Sequence, residues 1–270
     1  RLQVAAPLEL LTADELEESD VYISFAAVDD QPLSPEHEGW ISQLQHDLER
    51  RIQQLTGMPI RICKLSKQPG RDEPVQRVLE YLPTVKTLVS VVSPPFVQAS
   101  GCLQEVETFW NAADSEHNIS VGGTTRILKA VKAPVESDTV PPRIQRVFDS
   151  ASGFEFFEHD PETGRVREYD EALGSKARQY YYQCLYDLAH DIHVVLKSYR
   201  PGEAGDDEMA LAPEGDGKTV YLAETTSDLR AERDRLKREL VERGHRILPD
   251  RALPMEQPDL ETAVRGWLEE

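Results

Sequence analysis

Apolar and polar positions along the chain alternate between two periods in a regular order. Residues 20–30, "DVYISFAAVDD", form a short apolar run ending in two aspartates and read as a strand. From Trp40 to Leu55, the residues Ile41, Leu44, Leu48, Ile52 and Leu55 recur at spacings of 3, 4, 4 and 3, one face of a helix, with Gly57 as its C-cap. A second strand is predicted over 59–65 ("PIRICKL"), then a polar loop over 66–73 ("SKQPGRDE"), then a helix from Pro74 to Leu82 with proline in its first turn. The run "TLVSVVS" (87–93) is apolar on both faces, as a strand covered by helices on both sides is. A helix over 101–114, a strand over 126–133, a short helix over 142–149 and a strand over 154–159 follow. A charged hairpin-like loop then leads to a long helix over 175–199, whose stripe is Tyr181, Leu185, Leu188, Ile192, Val195 and Tyr199. Strand and helix alternate five times. That predicts an α/β fold, a flavodoxin-like doubly wound sheet of five mainly parallel strands with helices on both faces.

The pattern breaks after residue 199. Residues 200–218 hold four glycines, two prolines and six acids with little to bury, a linker by composition. The opening then partly repeats: "KTVYLAETTSDL" (218–229) echoes "SDVYISFAAVDD", and "HRILPDRALP" (245–254) echoes "IRICKLSKQP". The expected organisation is an acidic lead-in over 1–19, a first domain over 20–199, a linker over 200–217, and the incomplete β-α-β-α beginning of a second unit over 218–270. That second stretch is too short to bury a closed core, and the chain opens on Arg1, so a piece of a longer protein with further domains is expected.

Charge and composition narrow the partners. A net charge of −19 argues against binding a nucleic-acid backbone, which needs clustered Lys and Arg. No apolar stretch reaches the ~18–20 residues of a membrane helix, and no signal-peptide pattern is present. Cys63, Cys102 and Cys184 are few and scattered; they read as reduced thiols of a cytoplasmic protein, without zinc-site spacing.

Ligands of an open α/β sheet bind outside the carboxyl ends of its strands. Here those ends are residues 25–30, 64–73 and 93–102, together with the start of the third helix. On that helix Leu103, Val106, Trp110 and Ala113 form the expected buried stripe. Glu105 falls on one flank beside Cys102 and Phe109, and Glu107 on the other. A carboxylate there, one turn in from the helix start and sheltered by an aromatic, can face the crevice, although on position alone a surface acid near a helix N-terminus is the commoner reading. The pair Asp29 and Asp30 invites a phosphoacceptor reading, which fails because Ser93 stands where the third strand should end in aspartate. Asp187, His190 and His193 share helical spacing, but a solvent-facing helix edge explains them better than a metal. Gly122 and Gly123 precede no helix start and form no phosphate loop. Tyr180, Tyr181 and Tyr182 read as packing of the last helix onto the sheet.

The ordered series "VYISFAAVDD", "IRICKLSKQPGRDE" and "VSVVSPPFVQASGCLQEVETFW" resembles the Toll/interleukin-1 receptor (TIR) domain family, with Ser93 to Glu105 as its most specific part. The resemblance covers roughly residues 20–199; the repeat from Thr219 resembles the opening of a second TIR-like unit. In enzymatic members the glutamate of C-x-x-E cleaves NAD⁺ at the nicotinamide–ribose bond, and here that residue is Glu105. The resemblance implies that NAD⁺ is substrate, with no further cofactor and no metal. It places Phe25, Val28, Asp29, Asp30, Lys64, Ser93, Cys102 and Phe109 around the substrate. The loop holding Ser66, Lys67, Gln68, Pro69, Gly70 and Arg71 would gate the site or mediate self-association, on which activity generally depends in this family. It implies an effector module of a bacterial defence or signalling protein. Structural alternatives stand beside each assignment: Phe25 as strand-end core, Asp29 and Asp30 as caps, Cys102 as packing without a histidine to activate it, Lys64 as a surface charge. At the level of function, a non-catalytic self-associating TIR scaffold and a nucleoside-processing transferase remain open. Trp110 and the long segment 159–170 depart from the family pattern.

Overall fold

A computed structural model of the chain describes residues 19–32, 34, 37–65, 73–136, 139–160, 163–170, 173–201, 218–223, 233, 236, 239–240, 245–248 and 265. In chain order they form β1 (Val21–Ser24), α1 (Trp40–Thr56), β2 (Ile62–Lys64), α2 (Glu73–Tyr81) and β3 (Thr87–Val92). A short α3 (Pro94–Gln98) runs into α4 (Ser100–Ser115), followed by the strand pair β4 (Ser120–Val121) and β5 (Thr124–Thr125). Next come β6 (Ile127–Val131), α5 (Pro142–Ser150), β7 (Ser152–Glu155), β8 (Phe157–His159), β9 (Val166–Glu168) and α6 (Ser175–Ser198).

The central sheet has five strands in the order β2-β1-β3-β6-β7, every pair parallel. Counted within the sheet, that is the 2-1-3-4-5 order of flavodoxin-like folds, so the fold class read from the periodicity holds. Side chains alternate across the strands and divide the core into two layers. Tyr22, Leu88, Val92 and Ile127 pack with Val78, Val106, Phe109, Ile144 and Phe148 on one face. Val21, Ile23, Val89, Val91 and Leu128 pack with the α1 stripe and with Tyr181, Leu185, Leu188 and Ile192 of α6 on the other.

Several boundaries move for identifiable reasons. The second strand keeps three residues because it is an edge strand paired only to β1 and Pro59 has no N–H to give. The strand expected over 154–159 is two. Phe156 N–H still donates to Val131 O at 2.8 Å, but from Phe157 the chain turns out of the sheet and pairs antiparallel with β9. That hairpin is the charged loop. Helix α3 was not anticipated, although its signal is plain: Ser93 accepts from Phe96 N–H at 3.2 Å as N-cap, and prolines open the first turn. The β4–β5 turn uses Gly122 and Gly123 at φ 58° and 75°, the positive values that a tight hairpin demands.

In the predicted repeat, β10 (Thr219–Tyr221) and β11 (Arg246–Leu248) pair in parallel as a separate two-stranded sheet. The lead-in before Ser19, the loop 66–72, the linker 202–217 and the two helices expected after Tyr221, but for isolated positions, lie outside the described residues. Among the described residues no helix is long and apolar enough to cross a membrane.

Candidate functional site at the carboxyl ends of the strands

The residues of α4 that the core encloses are Cys102, Glu105, Val106, Phe109 and Ala113. Leu103 and Trp110, expected in the stripe, are only half-buried. The inward face is therefore turned toward Glu105, which sits at its centre with no exposed surface rather than on a flank. A buried carboxylate without partners is costly, and β1 supplies them. Ser24 Oγ donates to Glu105 Oε2 at 2.5 Å, and Tyr22 Oη donates to Oε1 at 3.2 Å. Residues two apart on a strand face the same way, which puts both hydroxyls under α4. Burial, then the neighbouring Glu105 charge, holds the Tyr22 phenol well above its usual range, so it remains a donor. Glu107 is half-buried and has no such donors from the sheet.

Cys102, on the same face one turn earlier, has its thiol hydrogen of the fully buried side chain directed to Phe25 O at 3.2 Å. This places the end of β1 against the first turn of α4. The Phe25 ring goes to the opposite layer, among the α1 side chains, with the Lys64 ammonium 5.7 Å from its centre.

Beyond the end of β1, a 3-10 turn over Ala27–Asp30 carries the two aspartates in different directions. Asp29 is buried and accepts from Ser93 Oγ at 2.5 Å, so the ends of β1 and β3 are joined across the point where the strand order reverses. Lys132, just past β6, lies 3.9 Å from Asp29 and donates to Glu168 of β9 at 2.8 Å. Burial pushes the Asp29 carboxyl above its usual range, against the opposing effects of the Ser93 hydrogen bond and the Lys132 ammonium. Asp30 instead caps α1: its oxygens accept from Ser42 N–H at 2.8 Å and Ser42 Oγ at 2.9 Å, and from Lys64 Nζ at 2.7 Å. Gly39 is required there, because a Cβ at that position would collide with the Asp30 carbonyl and side chain.

The structure thus brings Phe25, Asp29, Asp30, Lys64, Ser93, Cys102 and Glu105 to one edge of the sheet. Val28 is there too, half-exposed on the turn. Phe109 is not. It lies one turn further along α4, deep in the core, 5.1 Å from the Arg126 guanidinium, which bonds the carbonyls of Val85 and Lys86 before β3. A residue four positions after Glu105 runs back toward the amino ends of the strands, because α4 is antiparallel to them; helical spacing alone does not show that displacement. The segment from Ser66 to Arg71 lies outside the described residues.

Five participants were not singled out from sequence: Tyr22, Ser24, Ser42, Lys132 and Glu168. For the first two a signal existed. They are the polar-tipped residues of an otherwise aliphatic β1, at the i, i+2 spacing that aligns them on one face. For Lys132 none did, since its partners come from residues 29 and 168. Among the described residues no group of three His, Cys, Asp or Glu is placed to hold a metal ion. No protein-family model matches the chain, nor does any curated protein.

Proposed function

We propose that residues 20–199 form a TIR-type NAD⁺ glycohydrolase module, with Glu105 as its essential carboxylate, acting within the cytoplasm as the effector arm of a larger defence or signalling protein. The observation that supports this most is the placement of Glu105: fixed by two β1 hydroxyls, at the carboxyl edge of a 2-1-3-4-5 sheet, next to the β1/β3 reversal where such folds bind nucleotides. The leaving nicotinamide is neutral, so the bond needs no general acid. Charge develops instead on the ribose as an oxocarbenium ion, and a fixed carboxylate stabilises that cation. In this scheme Ser24 yields Glu105 Oε2 to a ribose hydroxyl, and Asp29 with Ser93 lines the same edge. Self-association through the loop containing Ser66 to Arg71 completes the site, and the product is linear or cyclic ADP-ribose.

The test is nicotinamide release from NAD⁺ at high protein concentration. Glu105→Ala is expected to lower turnover by roughly two to three orders of magnitude, as loss of a group stabilising the developing charge does. Glu107→Ala is expected to remain near wild type. Equal turnover by Glu105→Ala and wild type would remove the assignment.

One observation favours a second reading, a non-catalytic self-associating scaffold. Both Glu105 oxygens are engaged and no surface of the residue reaches solvent. Absence of nicotinamide release by the associated wild-type protein would select that reading.

A further inference from the structure

The strand-end network contains a cation that the chemistry above leaves unused. Lys132 follows β6 directly, and its backbone N–H donates to Val92 O at 2.9 Å, which fixes its Cα at the carboxyl edge beside Ser93. Its side chain is only 14% exposed. The ammonium is surrounded by groups from three further elements: Glu168 of β9 at 2.8 Å, Asp29 of the 3-10 turn at 3.9 Å, and the Trp40 ring of α1 at 5.9 Å. Of these only the Glu168 contact is a hydrogen bond, since 3.9 Å is too long for one. An ammonium carries three donors. Two N–H groups of a mostly enclosed cation therefore lack an acceptor among the described residues. Lys64, a second described lysine at this edge, differs: it is bonded to Asp30 at 2.7 Å and Ser42 at 2.5 Å and serves to hold the α1 cap.

The partner of Lys132 is also the most replaceable member of the network. Glu168 is 40% exposed and belongs to a hairpin outside the central sheet. That hairpin is anchored separately, by the Trp40 indole N–H to Tyr169 O at 3.0 Å and by Tyr169 stacked on Tyr180 at 5.2 Å. Loss of the Glu168 contact would leave both anchors in place. A half-solvated carboxylate is a weak partner, whereas the several oxygens of a diphosphate can each accept a charge-assisted hydrogen bond from a different donor of one ammonium.

We propose that Lys132 is an anion-binding residue of the crevice, taking the diphosphate of a dinucleotide ligand in exchange for Glu168. The identity of that ester rests on the NAD⁺ reading; the anion preference rests on Lys132 alone.

Calorimetric titration of inorganic pyrophosphate and of ADP-ribose into the full chain, at fixed ionic strength, tests this without any turnover. Wild type is expected to bind both. Lys132→Gln is expected to bind about tenfold more weakly, the loss of a hydrogen bond to a charged group. Glu168→Gln, which removes the competing carboxylate, is expected to bind a few-fold more tightly, and Lys132→Arg to retain binding. Equal affinity in wild type and Lys132→Gln, no gain in Glu168→Gln, or no binding by wild type overturns the proposal. Should circular dichroism show that Lys132→Gln fails to fold, the Glu168→Gln and Lys132→Arg pair decides alone. A wild type that binds pyrophosphate but releases no nicotinamide would retire the glycohydrolase reading and leave the anion site standing.

Discussion

Ser24, Tyr22 and Glu105 share a space closed to solvent, and the carboxylate there depends on neighbours for every hydrogen bond it makes. Removing the Ser24 hydroxyl takes the 2.5 Å donor from Oε2 and leaves a methyl in its place. A buried acceptor deprived of its partner costs about 1–3 kcal/mol, so Ser24→Ala is expected to lower unfolding free energy by that amount in denaturant titration. If Glu105 acts on the ribose, the same substitution loosens the carboxylate and lowers kcat more than it changes KM. Unchanged stability together with unchanged turnover would show that Ser24 does not hold Glu105. In the sequence, Glu105 is a candidate through its flank position, its strand-end setting and the C-x-x-E resemblance together. Its periodicity places it on a flank rather than at the centre of the inward face, because the apolar stripe runs through Leu103, Val106, Trp110 and Ala113. The two β1 hydroxyls reverse that order: they draw an acid inward and leave Leu103 and Trp110 at the margin. Hydrophobic spacing cannot register a partner eighty residues away.

At the scale of elements, Arg126 ties the segment before β3 to the ends of α4 and α6, beyond the β3–β6 pairing that its own carbonyl joins. Its side chain is fully buried before β6; Nε donates to Lys86 O at 2.8 Å and one terminal nitrogen to Val85 O at 2.9 Å. The other terminal nitrogen bonds the Asn118 side chain after α4, and the guanidinium lies 4.1 Å from the Tyr199 ring at the end of α6. Burial lowers its pKa, but the surrounding acceptors keep it useful as a planar fork. Arg126→Ala leaves those acceptors unsatisfied and is expected to cost at least about 3 kcal/mol. Arg126→Lys is expected to recover little, since a single ammonium cannot reproduce the fork. A urea midpoint for Arg126→Ala close to wild type would refute this. Helix α6 carries a second expectation. Burial, then His190 and Lys197, holds the His193 imidazole below its ordinary 6.5. The unfolded chain therefore binds the proton more readily, and the His193 contribution is present above pH 6.5 and lost as pH falls below it. His193→Gln should flatten that part of the stability profile; an unchanged slope would exclude His193 as its source. Elements with unbroken stripes, α1 and α6, were legible from spacing. The edge strand β2 and the strand that divides into β7 and β8 were legible as strands but not in their bounds, because strand ends are decided by which neighbour still offers a hydrogen bond.

For the molecule as a whole, the five-stranded sheet has a helical layer on each face and a core in each layer, all built from residues before 202. The later pair β10–β11 is hydrogen-bonded as its own sheet. Two strands are marginal by themselves in water, and among the described residues the core clusters draw only on the first unit, so the stability of the chain should reside there. The segment covering residues 19–201, expressed alone, is accordingly expected to unfold in one cooperative transition at a midpoint close to that of the full chain. The comparison is sensitive, because a drop of about 5 °C corresponds to roughly 2 kcal/mol for a domain of this size. A shift that large, or a broad non-cooperative transition, would mean that residues after 201 pack against the first sheet and contribute to its core. An unchanged midpoint would establish the boundary that the acidic, glycine-rich composition of 200–217 implies, and would also place Glu105 and Lys132 in a unit that can be assayed by itself.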